Sequence, residues 1–235
     1  MKTYLLTTVF ALTTFFLVDM LYPPTNTTSR LNNDVMNYLQ EATQSFDRIP
    51  NERKEMLKEL AAFIREKQNK KEEVKLIFIC IHNSRRSHMS HIWASVAAHY
   101  YQVQNVQTFS GGTEATAFNP RAVAALQRTG LTITKMIEGN NPRYQVQLGD
   151  NDLVEEAFSK KYDDPVNPQR DFAAIMTCSQ ADEACPFVPG AALRLSFPYD
   201  DPKAADGTAQ DASRYDARSQ QIATEMLYCF SQVNQ

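Results

Sequence analysis

A cysteine that is followed at a fixed distance by an arginine and a serine is the feature of this sequence that most suggests chemistry. Cys80 ends the apolar run Val74–Cys80, and Arg86 and Ser87 come six and seven residues later. A thiolate is a strong nucleophile, and it is stabilised where loop N–H groups and a helix N-terminus converge. The planar fork of an arginine can hold two oxygens of a tetrahedral oxyanion. The pattern therefore predicts nucleophilic attack by Cys80 on an oxyanion.

The residues after the cysteine form the predicted oxyanion loop. Asn83 can bond backbone groups and hold the curvature of the loop, the Ser87 hydroxyl can donate to the thiolate, and Arg85 adds positive charge. A buried cysteine before a helix that happens to begin with polar residues is the alternative explanation. The candidate substrate-binding residues are Ile81, His82, Asn83, Ser84, Arg85, Arg86 and Ser87.

A second pair of cysteines follows another apolar run. Cys178 ends the run 172–178, and Cys185 comes seven residues later. The chain has four cysteines, which are too few and too unevenly spaced for a disulfide scaffold, so catalysis, redox chemistry or metal binding remain. The sequence contains no CxxC and no dense His/Cys cluster, and we therefore predict no metal site. Cys229 lies among apolar neighbours and is interpreted as a core residue.

Apolar runs of strand length alternate with amphipathic helices from Val74 onward. This alternation predicts an α/β fold, a doubly wound four-stranded parallel sheet flanked by helices. Ligands bind such sheets at the carboxyl ends of the strands, so Cys80 and Cys178 are expected at the same edge. The predicted strands are residues 74–80, 106–110, 172–178 and 193–197, and the predicted helices are residues 87–101, a helix opened by Asn119-Pro120, and residues 211–232.

The first 73 residues are expected to lie outside the catalytic domain. Residues 1–30 combine an apolar stretch of about signal-peptide length with a polar linker, and this stretch is short for a membrane span. It exports or anchors the protein, reflects a misassigned start codon, or forms a buried helix. Residues 31–73 predict a hairpin of two helices, the second one capped by Asn51, which packs on the main domain or acts as a dimerisation arm. The predicted catalytic domain is residues 74–235.

Length and charge limit the classes of function. The chain has 235 residues and a net charge of −3, and it carries no basic stripe, which argues against a nucleic-acid partner. Residues 134–169 are polar and rich in turn signals, and they are interpreted as an insertion over the site or as a long loop. Within them Lys160, Lys161 and Tyr162 are candidates for substrate contact, although a solvated surface is the favoured interpretation.

The pattern Cys-x-x-Asn-Ser-x-Arg-Ser at residues 80–87 resembles the signature of two families that share one fold. These are the low-molecular-weight protein tyrosine phosphatases and the thioredoxin-coupled arsenate reductases. Residues 109–114 and 119–123 resemble the segments that follow in both families, and the similarity extends from about Val74 to the C-terminus. The resemblance implies that Cys80 is the nucleophile, that Arg86 clamps the oxyanion, and that Asn83 and Ser87 support the loop and the thiolate.

The same resemblance implies roles for the later candidates. The arsenate reductases have a Cys pair at this spacing, so Cys178 would resolve the arsenylated nucleophile and Cys185 would pass the disulfide to thioredoxin. Both families carry an Asp-Pro on a loop over the site, so Asp201 would be the general acid, although an ordinary turn also explains this triplet. The chain departs from the families at His82, which is usually Gly, and at His91, where some reductases use a carboxylate to bind potassium. We therefore predict no potassium ion.

The favoured function is thiol-dependent arsenate reduction, and thus arsenic detoxification, with hydrolysis of phosphomonoesters such as phosphotyrosine as the alternative. A catalytically idle phosphate-binding or redox-sensing module is a third hypothesis. We expect no bound cofactor, a small oxyanion or phosphorylated substrate, and an external thioredoxin-like reductant. Because an oxidising compartment would lock Cys178 and Cys185 as a disulfide, we expect a cytoplasmic protein. Export or membrane anchoring through residues 1–22 is the alternative.

Overall fold

The computed structural model describes residues 31–149 and 154–234. The predictions for residues 1–30, an export signal or anchor, a misassigned start or a buried helix, lie outside the described residues. Within the part of the chain that is described, no helix is both long enough and apolar enough to cross a membrane.

Six α-helices are present among the described residues. They are α1 (Asn33–Thr43), α2 (Asn51–Asn69), α3 (Arg86–Tyr100), α4 (Pro120–Arg128), α5 (Ser179–Ala184) and α6 (Asp211–Ser231). Short 3₁₀ helices occur at Phe46–Arg48 and Pro202–Ala205. Asn119 caps α4 as its Asn-Pro sequence predicts, because its side chain accepts the Arg121 N–H at 2.9 Å.

The main sheet has four parallel strands in the order β2-β1-β6-β7. The seven strands of the described chain are β1 (Val74–Cys80), β2 (Val106–Gly112), β3 (Thr132–Ile137), β4 (Arg143–Gln147), β5 (Val154–Ala157), β6 (Phe172–Met176) and β7 (Ala191–Ser196). This confirms the predicted four-stranded parallel sheet flanked by helices. The central strand β1 is almost entirely buried, which explains its continuous apolar sequence.

Alternate residues of β1 face two separate apolar clusters. Leu76 and Phe78 join a large cluster with the helices α1, α2, α3, α4 and α6, whereas Ile77 and Ile79 join a smaller one with α5. This alternation follows from the two-residue period of a strand. The smaller cluster also contains Cys80, so the predicted nucleophile lies at the end of the face that α5 covers.

Of the two N-terminal helices, α1 packs on α6, and α2 packs directly on the catalytic sheet. Helix α2 contacts β1, β7 and α6, and it buries Leu57, Leu60 and Ile64 in the large cluster. The prediction that Asn51 caps this helix is wrong, because Asn51 is already helical and Pro50 holds the cap position. Pro50 is extended there, with φ −56° and ψ 145°, and its carbonyl accepts the Lys54 N–H at 2.9 Å.

The polar segment 134–169, which the sequence predicts to be an insertion or a long loop, contains regular structure. Strands β3, β4 and β5 form a three-stranded antiparallel sheet. Tyr144 and Val146 alternate with polar residues on β4 and are buried, which is the signal that was missed. Beyond β5, Lys161 forms a parallel bridge with Gly112, so the chain returns to the edge of the sheet at the oxyanion loop.

Candidate active site

Cys80 lies where the central strand ends and the oxyanion loop, residues 80–87, begins. It is the last residue of β1, and α3 begins at Arg86. The Cys80 Sγ is 3.1 Å from the Ser87 Oγ, which belongs to the first turn of α3. A thiolate here would receive both a hydroxyl hydrogen bond and the field of a helix N-terminus.

The carbonyl groups of the oxyanion loop are hydrogen-bonded to neighbouring segments. The carbonyls of Cys80 and Ile81 accept the N–H groups of Thr113 and Glu114 at 3.2 and 2.8 Å, and the Ser84 carbonyl accepts a further N–H at 2.9 Å. The His82 carbonyl accepts two side-chain hydroxyls at 3.0 and 3.1 Å. These bonds fix the backbone of the loop at the end of β1, and a fixed loop that leads into a helix N-terminus is the kind of backbone that binds an anion.

Asn83 shapes the loop from within. Its φ of +42° lies in the left-handed region, which asparagine tolerates better than most residues. Its amide donates to the Ser87 Oγ at 2.9 Å, and its side-chain oxygen accepts the Lys160 N–H at 2.8 Å. A Cβ on Gly112 would lie 2.5 Å from the Ile81 carbonyl oxygen, so only glycine allows β2 to approach the loop this closely.

Arg86 and Asp201 meet beside the loop. The guanidinium of Arg86 donates through Nη1 to the Tyr199 carbonyl at 2.9 Å, and its Nη2 lies 2.8 Å from the Asp201 carboxylate. Asp201 also accepts the Lys203 N–H at 3.0 Å, which fixes the turn that carries it. The structure thus brings together the predicted arginine and the predicted general acid, beside the loop that begins at Cys80.

The side chains of Arg85 and His82 contact residues outside the oxyanion loop. The Nε of Arg85 donates to the Tyr215 hydroxyl at 2.7 Å, and its Nη2 is 3.4 Å from Asp206. Its charge is therefore balanced by a carboxylate, and the side chain fastens the loop to α6. His82 is exposed, with its Nε2 3.7 Å from the Glu114 carboxylate.

Cys178 lies at the neighbouring strand end. The N–H of Thr177 donates to the Ile79 carbonyl at 2.7 Å, which joins the end of β6 to that of β1. Cys178 follows at the N-cap of α5 and is fully buried, with its Sγ 3.4 Å from the Ala181 N–H. Burial raises the pKa of the Cys178 thiol, and the positive charge of Arg86 partly opposes this shift.

Cys185 closes the other end of α5. It is buried with 8% exposure, and burial raises the pKa of its thiol while Arg194 opposes the shift. Arg194 also anchors α5, because it donates to the Cys185 and Asp182 carbonyls at 3.0 and 2.8 Å and pairs with the Asp182 carboxylate at 2.5 Å. All three thiols are free and belong to one buried cluster. We call α5 with its two flanking cysteines the relay helix.

The interpretation of Lys160 as solvated surface is wrong. Its side chain is buried beside the Phe158 ring, 4.4 Å from the ring centre, and burial lowers its pKa to about 8. The Lys160 N–H bonds the side chain of Asn83, so the segment after β5 lies against the oxyanion loop. The Lys160 side chain is buried there for this reason. Lys161 is exposed and Tyr162 is half-buried, with its N–H bonded to the Gly112 carbonyl at 2.9 Å.

Helix α3 carries two buried histidines, His88 and His91. The His88 ring stacks on Phe118 with 4.1 Å between ring centres. Burial lowers the pKa of His88 well below its ordinary value, and burial together with Lys160 lowers that of His91 to about 3. Neither ring nitrogen of His91 has a hydrogen-bond partner within the described residues. Among those same residues, no group of His, Cys, Asp or Glu is arranged to hold a metal ion.

The candidate active site thus comprises a thiol before a helix N-terminus, an arginine of the same loop, and two further thiols that flank α5 beside the neighbouring strand. Comparison with known proteins gives the family. An arsenate reductase of Staphylococcus epidermidis is 30% identical over 128 residues, which cover 54% of this chain and 77% of that protein. One of Bacillus licheniformis is 28% identical over 160 residues, which cover 68% of this chain and 96% of that protein.

Comparisons with family models and with solved structures gave two further results. No family model matches the chain. A solved low-molecular-weight protein tyrosine phosphatase from T. tengcongensis has a TM-score of 0.45 and 12% identity, covering 66% of this chain and 97% of its own. From its curated relatives, the chain belongs to the family of the arsenate reductases, and it is an enzyme.

Proposed function

We propose that this enzyme reduces arsenate through a relay of three thiols. The observation that carries this proposal is the grouping of three free thiols in one buried cluster, with Cys80 and Cys178 at adjacent strand ends and Cys185 at the far end of α5. Phosphate-ester hydrolysis through a phosphocysteine needs only the first of these thiols. The names of the curated relatives support the same choice.

The proposed reaction begins with attack of the Cys80 thiolate on the arsenic atom, and one oxygen leaves as water. The Cys178 thiolate then attacks the Cys80 Sγ, and the electron pair of the S–As bond passes to arsenic. Arsenic(V) becomes arsenic(III) and leaves as arsenite, while a Cys80–Cys178 disulfide forms. Cys185 next attacks the Cys178 Sγ, which frees the Cys80 thiolate and leaves a Cys178–Cys185 disulfide.

The last disulfide requires the relay helix to unwind. Cys178 and Cys185 cap opposite ends of α5. Seven residues of α-helix span about 10 Å, whereas the Cα atoms of a disulfide lie within about 7 Å of each other. The oxidised form would therefore expose the segment to an external dithiol reductant such as thioredoxin, which closes the cycle. This chemistry needs reducing surroundings, so a cytoplasmic location is part of the proposal.

Phosphomonoester hydrolysis is the second candidate, and the position of Asp201 favours it. A carboxyl group 2.8 Å from the arginine of the loop is well placed to protonate a leaving oxygen. Because arsenate and phosphate share shape and charge, the oxyanion loop suits both substrates. The two functions differ in whether Cys178 is required.

A two-substrate assay on the full chain tests the proposal. Arsenate is supplied with thioredoxin, thioredoxin reductase and NADPH, and a phosphotyrosine analogue is assayed in parallel. We expect arsenate-dependent NADPH oxidation that Cys80→Ser and Cys178→Ser both abolish. Cys229→Ala is the matched control, because it removes a buried thiol on α6 outside the site, and it should retain activity. Ester hydrolysis lost only in Cys80→Ser, with no arsenate turnover, would make the enzyme a phosphatase.

A further inference from the structure

We propose that Arg53, on helix α2 of the N-terminal hairpin, is a positioning residue for Arg86 and acts through Tyr199. The inference rests on the proposed function, because it assumes that Arg86 holds the oxyanion. It gives the helices before the catalytic sheet a direct part in the active site. Three sets of contacts carry it.

The first set fixes the Arg53 side chain. Its Nε and Nη2 both lie 2.7 Å from the Glu225 Oε2, and the two side chains are only 12% and 4% exposed. The Gln221 amide donates to the other oxygen of Glu225 at 3.0 Å. A carboxylate this deeply buried needs a cation beside it, so the arginine has one favoured position.

The second set passes from Arg53 to the segment 197–201. The Arg53 guanidinium lies over the rings of Phe197 and Tyr199, with its carbon 4.9 and 4.8 Å from the two ring centres. The Tyr199 hydroxyl donates to the same Glu225 oxygen at 2.8 Å. Tyr199 is thus held by stacking on its face and by a charge-assisted hydrogen bond at its tip.

The third set passes from Tyr199 to the catalytic groups. Its carbonyl accepts the Arg86 Nη1 at 2.9 Å, and Asp201, two residues on, pairs with the Nη2 at 2.8 Å. Its N–H donates to the Thr177 carbonyl at 3.1 Å, one residue before Cys178. Movement of the Tyr199 ring would therefore shift both partners of the Arg86 fork.

These contacts predict a specific defect when Arg53 is lost. The Arg86 fork would lose its fixed orientation, so affinity for an oxyanion should fall even in fully folded molecules. General destabilisation would lower the folded fraction and leave the affinity of each folded molecule unchanged. The dissociation constant of folded protein separates these two effects.

The test measures binding of inorganic phosphate to the full chain by calorimetry, with the folded fraction determined from urea unfolding. Arg53→Met/Glu225→Gln removes the ion pair together, so no unpaired charge is buried, and Tyr199→Phe removes only the hydroxyl bond. We expect the double variant to bind phosphate about tenfold more weakly. Tyr199→Phe should weaken phosphate binding less than the double variant does. The single variant Arg53→Lys keeps the positive charge, so it should also bind phosphate more tightly than the double variant. Arg65→Met, on the same helix but bonded to the Gln232 carbonyl, is the matched control and should bind as the unchanged chain does.

Phosphate affinity unchanged in the folded double variant would overturn the role of Arg53 and leave the relay intact. The relay is tested separately, because phosphate binding needs neither Cys178 nor Cys185, nor a reductant. Phosphate binding without arsenate turnover in the unchanged chain would reject the proposed function but not the role of Arg53. If the unchanged chain did not bind phosphate, the oxyanion loop and the role of Arg53 would both be rejected.

Discussion

The oxyanion loop and the relay helix both present cysteines at the carboxyl edge of the sheet, but they are held in different ways. The carbonyls of Cys80, Ile81, His82 and Ser84 are bonded to residues of the segment 113–119 and to Ser159, and Asn83 crosslinks the loop from inside. The α5 part of the relay helix has only six residues, and it is anchored mainly by Arg194 and Ser196 of β7. A binding site for an oxyanion benefits from preorganisation, whereas a segment that must form a disulfide over a long distance has to be released.

The largest expected effect is a loss of turnover that differs between variants of the oxyanion loop and variants of the relay helix. Cys80→Ser should lower both arsenate and ester turnover by on the order of 10⁴-fold, because the nucleophile serves both reactions. Cys178→Ser should abolish arsenate turnover alone and leave phosphate binding unchanged. Steady-state rates and calorimetry on the same preparations check this split. Equal loss of ester turnover in both variants would mean that the two regions do not act separately.

A smaller effect is expected from Arg86→Lys within the oxyanion loop. Lysine keeps the charge but loses the fork that joins the Tyr199 carbonyl to Asp201. We expect kcat/KM for either substrate to fall about a hundredfold. Arg85→Lys is the comparison variant, and it should cost less because that guanidinium bonds Tyr215 and Asp206. A larger loss in Arg85→Lys would reverse these assignments.

Acid should lower the free energy of unfolding, because His91 on α3 is buried as a neutral imidazole. His91 has a folded pKa of about 3 against an ordinary value of 6.5, so the unfolded state binds more protons between these values. Its contribution to stability is complete above pH 6.5 and is lost as the pH falls toward 3, by about 2 kcal/mol at pH 5. Urea unfolding from pH 7 to 5 measures the slope.

His91→Asn should flatten the acid-side fall in the free energy of unfolding. His99→Asn is the control, since it removes an exposed imidazole from the same helix, and it should keep the slope of the unchanged chain. An identical slope in all three proteins would contradict the burial of a neutral imidazole at this position.

The smallest effect concerns the anchor of the relay helix. If α5 unwinds on oxidation, the bonds of Arg194 to Asp182 and Cys185 exist only in the reduced form. Arg194→Met should then favour the disulfide about tenfold and lower its reduction potential by about 30 mV. Equilibration of the Cys80→Ser background with a thiol redox buffer measures this potential. Arg170→Met, an exposed arginine, is the control, and a higher potential in Arg194→Met would show that the anchor also serves the oxidised form.

The sequence predicted the strand-loop-helix around Cys80 well because its signals are local. An apolar run gives the buried strand, and apolar residues at helical spacing after Ser87 give α3, although the structure buries this helix on every side from Arg86 to Ala98. The prediction that Cys178 shares this edge followed from the topology of parallel sheets. Strands β3 to β5 were missed, because they are short and mostly polar and only β4 shows clear alternation.

The partners of the site residues could not be predicted, because they are distant in sequence. Arg194 and Tyr199 act through bonds to residues on other elements. No motif in the adjacent sequence indicates a role for either residue. Arg53 is one of several charged residues on α2, and only packing against Glu225, 172 positions later, distinguishes it. Lys160 lies in a polar run that predicts exposure, and the fold overrides this signal.

A single-turnover experiment on the reduced full chain tests the central claim most directly. Arsenate is added without any reductant, arsenite is quantified, and the disulfides are mapped by peptide mass spectrometry. The relay predicts about one arsenite per chain together with a Cys178–Cys185 disulfide and a free Cys80. Arsenite formation without this disulfide, or no arsenite at all, would contradict the account.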